Sequence, residues 1–390
     1  MRTNRFITTV AAVGSCLTIF NSSLAQTWVL TSAPTRNWVS VASSADGSKL
    51  VAAANFIWLS TNSGASWVPT NAFSEIWQSV ASSANGEKLV AATGGGIYTS
   101  TNAGINWINA NTGWPLNNGD LTAVASSADG TKLVATIGYY HAPIYTSTDS
   151  GMTWISNTVP VKNWQSVCSS ADGSKLVAVA LEGEVYATTN AGVTWIPVSA
   201  PSNPWSSVAS SADGSKWIAV GGKYNVGGIY TSTNWGTSWQ SNNVPTANWM
   251  SVASSADGTK YVAACWQGFI YTSTNSGSTW TSNNAPLTSW TSVAISADGN
   301  RMVAVAAPVG GGLIYIAQSV PAPLLNIKSM DSTLAVSWLV PSTNFMLQQS
   351  SDMLSWVDIT NTPILDLTNL ENQISVSPSN NIGFYRLATP

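Results

Sequence analysis

Residues 249–280 read WMSVASSADGTKYVAACWQGFIYTSTNSGSTW, and near copies of this stretch recur along the chain. Two apolar segments, 249–253 and 260–264, flank an Asp-Gly turn, which is a strong hairpin signal. A third segment follows at 269–272 after a short loop, and a fourth begins at Trp280. The stretch therefore predicts four consecutive antiparallel strands.

The copies of this unit define a long internal repeat. They begin at Trp38, Trp77, Leu121, Trp164, Trp205, Trp249 and Trp290, in steps of 39 to 44 residues. Four strands in a repeat of roughly 42 residues are typical of a β-propeller blade, and ring closure removes most sheet edges. We therefore expect an all-β chain that forms a seven-bladed β-propeller.

The seventh copy is incomplete, because no fourth strand follows residues 314–316. Residues 27–34 match residues 279–286 of the sixth copy in their Thr-Trp start and their Ala-Pro end. We expect this N-terminal strand to pair into the last blade, which would bury both free edges and close the ring.

A second motif lies between the third and fourth strands. Residues 273–280 read STNSGSTW, which resembles the Asp-box (S-x-D-x-G-x-T-W) of the sialidase-like, BNR-repeat propellers. Further copies occur at 60–67, 100–107, 147–154, 188–195 and 232–239, and only Asp149 keeps the carboxylate. Because Asn or Asp can accept backbone N–H bonds in a turn, we interpret the box as a folding hairpin rather than a catalytic motif.

The N-terminal segment does not follow the repeat. Residues 1–25 combine Arg2 and Arg5, an apolar stretch and a small-residue pattern that ends at Ala25, which together predict an export signal. The mature chain would begin at Gln26 and be secreted or held at the cell surface. An alternative is a lipoprotein signal with acylation of Cys16, although one lipid chain anchors weakly.

The C-terminal segment also lacks the repeat. We expect the propeller to span residues 26–320 and a small β-sandwich to span 321–390, after the Pro-Ala-Pro at 321–323. The pattern from Ser350 to Trp356 and the end around Tyr385 resemble fibronectin-type or Ig-like modules. That resemblance implies a spacer or attachment role.

The composition limits the partners. Only 8% of the residues are charged and the net charge is −3, against about 25% charged residues in typical domains. Without a basic block we expect no nucleic-acid partner, and without an apolar run of about 18 residues no membrane span. Cys168 and Cys265 occupy small apolar repeat positions and predict buried free thiols. We expect a monomer without metal or cofactor.

The strand order predicts two unlike rims. We call the second-to-third and fourth-to-first connections the variable rim, since they differ between copies, and the first-to-second Asp-Gly or Asn-Gly turns the constant rim. A Trp heads six of the seven first strands on the variable-rim side. These Trp residues would either pack between blades or bind sugar faces, and we favour packing because wedge packing also demands near-identical residues.

Irregular residues of the variable rim are better site candidates, because the repeat does not explain them. For ligand binding these are Arg36, Trp114, Tyr139, Tyr140, His141, Tyr224, Trp266 and Gln267, with Lys162 and Lys223 on the same loops. For a hydrolase the candidate carboxylates are Glu75, Asp120, Glu182 and Glu184. His141 is the only histidine, and a lone histidine is more often a solvated loop residue than a ligand.

The resemblance to sialidase-like propellers also shows which residues each activity would need. Sialidases hold the substrate carboxylate with three arginines, but the mature chain has only Arg36, Arg301 and Arg386, of which two lie away from the variable rim. We therefore expect a non-catalytic binding propeller for extracellular carbohydrate. The alternatives are an Asp-box glycoside hydrolase that is not a sialidase, with two facing carboxylates, and a protein-binding scaffold like the photosystem-assembly or sortilin-type propellers.

Overall fold

The structure is a computed structural model that describes residues 28–110, 121–138, 143–222 and 227–318, and parts of the C-terminal segment. In that segment it describes residues 326–330, 333–339, 346–350, 355, 357–359, 364–366, 371–376 and 384–388. Every regular element in these ranges is a β-strand, and none of the described residues forms a helix that could cross a membrane.

Seven successive four-stranded sheets follow the repeat, and we number them 1 to 7. Sheet 1 contains β2 (Ser40–Ser43), β3 (Leu50–Ala53), β4 (Ile57–Ser60) and β5 (Val68–Pro69). Sheet 2 contains β6 (Trp77–Ser82), β7 (Leu89–Thr93), β8 (Gly96–Ser100) and β9 (Ile108–Asn109). Sheet 3 contains β10 (Leu121–Ser126), β11 (Leu133–Ile137), β12 (Tyr145–Ser147) and β13 (Ile155–Ser156).

The remaining sheets repeat this order. Sheet 4 contains β14 (Trp164–Ser169), β15 (Leu176–Ala180), β16 (Val185–Thr188) and β17 (Ile196–Val198). Sheet 5 contains β18 (Trp205–Ser210), β19 (Trp217–Gly221), β20 (Ile229–Ser232) and β21 (Gln240–Ser241). Sheet 6 contains β22 (Trp249–Ser254), β23 (Tyr261–Cys265), β24 (Ile270–Ser273) and β25 (Thr281–Ser282). Sheet 7 contains β26 (Trp290–Ile295), β27 (Arg301–Ala306), β28 (Ile314–Gln318) and β1 (Trp28–Leu30).

The second strand of each sheet explains why the repeat has an unbroken apolar segment there. Strands β15, β19 and β23 are buried along their whole length. The core clusters join residues of neighbouring sheets, so both faces of a sheet are covered. A strand covered on both faces carries a continuous run of apolar residues instead of an alternation.

Hydrogen bonds link the first strands of neighbouring sheets. The Oγ of Ser251 in sheet 6 accepts the backbone N–H of Val293 in sheet 7 at 3.1 Å, and Ser79 Oγ accepts that of Val124 at 3.2 Å. In sheets 2 to 7 the pairing register shifts after the first residue of the first strand, as between Trp249 and Ser251. This repeated bulge accompanies the W-x-S-V pattern that opens most copies.

The constant-rim turns are joined by a closed circle of backbone hydrogen bonds. The amide of Ala45 donates to the Ala84 carbonyl at 2.8 Å, and equivalent alanines continue the series until Ala297 donates to Ala45 at 2.7 Å. The donors are Ala45, Ala84, Ala128, Ala171, Ala212, Ala256 and Ala297. Seven bonds therefore tie each sheet to the next at this rim.

Sheet 7 combines the two ends of the repeat region. Strand β1 pairs antiparallel with β28, with Trp28 opposite Ala317 and Leu30 opposite Tyr315. Trp28 is buried in the same core cluster as Trp290 of β26. The N-terminal strand thus occupies the fourth position of the seventh sheet.

The C-terminal segment forms two further sheets among its described residues. One contains β29 (Asn326–Met330), β30 (Thr333–Leu339), β34 (Glu371–Val376) and β33 (Ile364–Asp366), and the other contains β32 (Val357–Asp358), β31 (Met346–Ser350) and β35 (Phe384–Ala388). Val336 and Ile374 of the first sheet share a buried cluster with Leu347 of the second.

Candidate functional site

The loops of the variable rim are held from both sides by backbone hydrogen bonds. In sheet 6 the amide of Trp266 donates to the Asn248 carbonyl at 2.9 Å, and Gly268 donates to Thr288 at 3.1 Å. These partners lie on the connections that precede and follow the sheet. The side chains of the loop therefore project from a fixed backbone, as a preorganised binding surface requires.

Trp266 and Gln267 sit at the tip of this loop, between β23 and β24. Both are exposed, Trp266 to 36%, and Gln267 has a left-handed φ of 52°. A non-glycine residue in that region is uncommon and indicates a sharp turn. The loop thus presents an indole and an amide side by side to solvent.

Arg36 and Glu75 lie on connections between sheets. The backbone of Arg36 pairs with Gly312 of sheet 7, and its guanidinium carbon lies 5.9 Å from the centroid of the Trp58 ring. The amide of Glu75 donates to the Asn55 carbonyl at 3.2 Å, and its side chain is exposed. The pKa of Tyr98 is raised mainly by burial and in part by the negative charge of Glu75. Both charged side chains therefore remain on the surface of the variable rim.

The carboxylates of sheet 4 have a different environment. Glu182 and Glu184 flank Gly183, which has a φ of 101°, and the amide of Gly183 donates to Ala180 at 3.1 Å. The loop is therefore a tight turn instead of the extended strand in which the two carboxylates would share a face. Lys162 donates to Glu184 Oε1, and this hydrogen bond raises the pKa of Lys162.

The six Trp residues that head the first strands are buried to at least 99%. They are Trp38, Trp77, Trp164, Trp205, Trp249 and Trp290. Trp249 makes an edge-to-face contact with Tyr271 at 5.2 Å and packs among residues of sheets 5 and 6. Trp205 Nε1 also donates to the Gly183 carbonyl at 2.9 Å. These rings therefore pack between sheets and support the rim loops, and they are not open to a ligand.

Exposed apolar residues complete the variable rim, and sequence reasoning missed them. They lie on sheets 6, 7 and 1 and on the connections that follow sheets 6 and 1, which makes them neighbours around the ring. They are Phe56, Phe73, Ile76, Phe269, Leu287 and Val309. They share the sequence signal of Trp266, since each stands in or beside a loop that differs between copies, but the predicted site took in only polar, charged, Tyr and Trp residues of these loops.

The constant rim uses its side chains internally. In sheet 6, Ser255 Oγ donates to Asp257 Oδ1 at 2.6 Å, and the Thr259 amide donates to the same oxygen at 3.0 Å. These bonds hold the pKa of Asp257 at about 2. Lys216 donates to the Asp257 backbone carbonyl at 2.7 Å. Equivalent exposed bonds from Lys132, Lys175 and Lys260 also join neighbouring sheets at this rim.

The box hairpins are equally self-contained. Asn275 Oδ1 accepts the Thr279 amide at 2.9 Å, and Ser273 Oγ accepts that of Gly277 at 3.0 Å. Asp149 does the same with Thr153 at 2.9 Å. Asn and Asp therefore serve one structural purpose in these turns.

Several predicted site residues lie outside the described residues. They are Trp114, Asp120, Tyr139, Tyr140, His141, Lys223 and Tyr224. Within the described ranges, no group of three or more His, Cys, Asp or Glu residues could hold a metal ion. Cys168 and Cys265 are free and buried, and burial raises the pKa of Cys168 to about 12.

Comparisons with known proteins identify the class of fold. No family model matches the sequence, and no curated protein matches it. YCF48 from Cyanidioschyzon merolae is similar, with a TM-score of 0.59, 14% identity and coverage of 76% of this chain and 98% of that one. A structure of YCF48 bound to D1 peptide has a TM-score of 0.56 and 15% identity, with coverage of 76% and 98%.

A third similar structure is an ancestral GH74 enzyme, with a TM-score of 0.55 and 13% identity. It is matched over 81% of this chain but only 53% of its own length. These proteins are β-propellers, and the repeated four-stranded sheets agree with them. The fold is therefore a β-propeller, and at such low identity the likeness extends to the fold alone.

Proposed function

We propose that this chain is a secreted, non-catalytic binding propeller that recognises carbohydrate through its variable rim. The observation that carries the proposal is the exposed pair Trp266 and Gln267 on a loop held from both sides. An indole face packs against the C–H surface of a sugar ring, and an amide can donate to one hydroxyl and accept from another.

The charged residues of the described rim favour binding over hydrolysis. Glycoside hydrolysis needs two carboxyl groups that flank one bond, roughly 5 to 10 Å apart. Glu184 is paired with Lys162, and Glu182 lies across a tight turn from it. Glu75 belongs to the connection between sheets 1 and 2, on another part of the ring. The GH74 neighbour nevertheless makes hydrolysis the activity to test beside binding.

A glycan array on the purified protein, run beside reducing-end release from the same polysaccharides, tests this proposal. We expect binding without release, and roughly a tenfold or greater loss of affinity in Trp266→Ala because the indole face on which a sugar ring would pack is removed. Trp235→Ala is the matched control, since Trp235 is 38% exposed but lies in a box hairpin on the opposite rim. Release of sugar, or equal losses in both variants, would refute the proposal.

Gln267→Gly separates the amide from the shape of the loop. Glycine adopts the left-handed φ of 52° without strain, so the turn is retained. We expect weaker glycan binding with unchanged thermal stability. Unchanged binding would remove Gln267 from the proposed contact.

Polypeptide binding is a second candidate, because aliphatic side chains on the rim favour it. Ile76 and Leu287 are at least 66% exposed, and Val309 is fully exposed. Peptide recognition uses such apolar anchors more than sugar recognition does. A peptide array with the variant Ile76→Gln/Leu287→Gln distinguishes the two ligands, since glycan binding at Trp266 should survive these substitutions.

We also propose the finer architecture that the sequence predicts. Residues 26–320 form a seven-bladed propeller of the Asp-box type that β1 closes, and residues 321–390 form a fibronectin-like or Ig-like module. Pairing of β1 with β28 and the shared cluster of the two C-terminal sheets support these assignments. Residues 1–25 direct export, and mass spectrometry of the exported protein should find Gln26 at its N-terminus. A lipid on Cys16 would favour the alternative signal.

A further inference from the structure

The connection that leads from sheet 1 to sheet 2, residues 70–76, carries side chains that the repeat does not explain. Ile76 stands directly before the first strand of sheet 2, where every other copy has a polar residue or proline. Glu75 is the one acidic residue at its position in the seven copies. Phe73 stands where five of the other six copies have proline, namely Pro34, Pro160, Pro201, Pro245 and Pro286. This connection therefore departs from the repeat at three positions.

The backbone of this connection nevertheless follows the repeat. The Glu75 amide donates to the Asn55 carbonyl of the preceding sheet at 3.2 Å. The equivalent amide of Arg36 donates to the Gly312 carbonyl at 3.0 Å. The fold thus fixes the path of the chain without requiring an aromatic, an acidic and an aliphatic side chain here. Irregular loop residues on a regular scaffold are the usual place of function.

The irregular side chains meet at one tyrosine of sheet 2. The ring centroids of Phe73 and Tyr98 lie 6.2 Å apart. Burial, and after it the charge of Glu75, raises the pKa of Tyr98, so the carboxylate lies near the same ring. Phe73 is 63% exposed and Ile76, the residue after Glu75, is 79% exposed. We call Phe73, Glu75, Ile76 and Tyr98 the Glu75 cluster.

The carboxylate of this cluster has no internal counterion. In sheet 4 the position of Glu75 is taken by Lys162, whose charge is matched by Glu184 just before the third strand. The counterpart of Glu184 in sheet 2 is Gly96, which has no side chain. Among the described residues, the pair of Lys162 and Glu184 is the only ion pair, so Arg36 on the neighbouring connection does not neutralise Glu75. The exposed negative charge is therefore available to a partner.

We infer that the Glu75 cluster binds a polypeptide segment through an Arg or Lys side chain, with an adjoining apolar side chain on Ile76. A carboxylate accepts charge-assisted hydrogen bonds from a guanidinium or ammonium group, and a cation is also attracted to the face of an aromatic ring such as Phe73. The apolar stem of Arg or Lys packs on such a surface while its charged end reaches the carboxylate.

Charge complementarity selects this occupant. A neutral glycan offers no cation to Glu75, and a purely apolar partner would leave its carboxylate buried and unpaired, which is costly. The inference rests on polypeptide binding, the second candidate function, and names the residues that recognise the partner. It does not depend on glycan binding at Trp266, which lies on the loop of sheet 6.

An array of synthetic peptides of random sequence, probed with the purified protein, tests the inference. We expect the bound peptides to be enriched in Arg or Lys next to an apolar residue. Glu75→Lys should shift the enrichment to Asp and Glu, because the charge of the cluster is reversed. Bound peptides without a basic preference, or the same preference in Glu75→Lys, would overturn the inference and leave the polypeptide candidate standing. An array without any bound peptide would refute both.

Fluorescence polarisation with the tightest peptide measures the charge contact. Glu75→Gln should weaken binding roughly fivefold to tenfold, and so should Gln in place of the basic residue of the peptide. The two changes together should cost no more than one alone, since each removes the same pair. Glu87→Gln is the matched control, because Glu87 is an exposed glutamate of the same sheet on the constant rim. Additive losses, or an equal loss in Glu87→Gln, would contradict a direct contact.

The variant Phe73→Pro/Ile76→Asn restores the residues that sheet 4 has at Pro160 and Asn163. It should fold, as thermal unfolding would show, and lose peptide binding while glycan binding persists. Phe73→Ala, which places no demand on the backbone, serves if the proline variant does not fold. Undiminished peptide binding by the folded variant would overturn the inference. Binding of chitosan, a cationic glycan, that depends on Glu75 while peptides do not bind would also overturn it, since the cation would then come from an amino sugar.

Discussion

The two rims of this propeller begin and end the same strands but use their residues in opposite ways. At the constant rim, hydrogen bonds within the turn and to the neighbouring sheet occupy the polar side-chain atoms of Ser255, Asp257 and Lys216. At the variable rim, the backbone holds the loops, and side chains such as Trp266 and Ile76 remain exposed. Repetition along the chain therefore marks structural residues, and irregularity marks the residues that are available to a partner.

The largest expected effect on stability separates two tryptophans of sheet 6, one at the head of a strand and one on a loop. Trp249 is fully buried, and Trp249→Ala should reduce the free energy of unfolding by about 3–5 kcal/mol through lost packing and a cavity. Trp266→Ala, on the exposed loop, should change it by at most about 0.5 kcal/mol. Chemical denaturation measures both. Similar losses in the two variants would break the distinction between buried and rim tryptophans.

A smaller effect is expected at the constant rim. Ser255 is buried, and its Oγ donates to Asp257 and accepts the Lys260 amide at 3.0 Å. Ser255→Ala removes a hydrogen bond to a carboxylate and leaves that half-buried amide without this partner, and it should cost about 1–3 kcal/mol in the free energy of unfolding. Ser278→Ala, in an exposed box position, is the control and should stay within about 0.5 kcal/mol. A neutral Ser255→Ala would show that the turn does not depend on this hydroxyl.

Acid should destabilise the constant rim selectively. Hydroxyl donors lower the pKa values of Asp46, Asp129, Asp213 and Asp257 to about 2, against about 3.9 in an unfolded chain. Because the folded values are lower, their stabilising contribution is complete above about pH 4 and is lost as the pH falls through about 2. Thermal unfolding from pH 7 to pH 2 should show this loss.

Asp129→Asn should reduce that acid-dependent loss while leaving stability near pH 7 little changed. Sheet 2 already uses an amide in this turn, where Asn85 Oδ1 accepts the Ser83 hydroxyl at 2.8 Å and the Glu87 amide at 3.0 Å. In a second variant, Asn replaces each of the four aspartates named above. If its stability falls with acid as in the unmodified protein, the acid sensitivity belongs to other groups.

The smallest effect is expected in the box. Asp149→Asn should change the free energy of unfolding by no more than about 0.5 kcal/mol, because Asn275 makes the equivalent bonds, including one from Nδ2 to the Thr279 hydroxyl at 2.8 Å. Binding to glycans should also be unchanged. A loss of binding without a loss of stability would give this carboxylate a function that its turn geometry does not indicate.

Much of the fold could be predicted because each copy of the repeat contains the apolar segments and turn residues that define its strands and turns. The Asp-Gly turn needs glycine, and Gly258 has a φ of 64°. The match between residues 27–34 and 279–286 located the strand that pairs with β28. The candidate site was predicted less completely. Trp266 and Gln267 are exposed on one loop, but the apolar residues Ile76, Leu287 and Val309 beside the polar candidates were not selected.

The sequence by itself determined the repeat, the strand order and the two rims, because these follow from residue types at fixed spacings along one chain. Only the tertiary structure decided which of the many tryptophans are buried and which are exposed. Trp249 and Trp266 lie 17 residues apart in one copy, yet one packs between two sheets and the other projects from a loop. Burial depends on the neighbouring sheets, and their positions relative to a side chain exist only once the ring has formed.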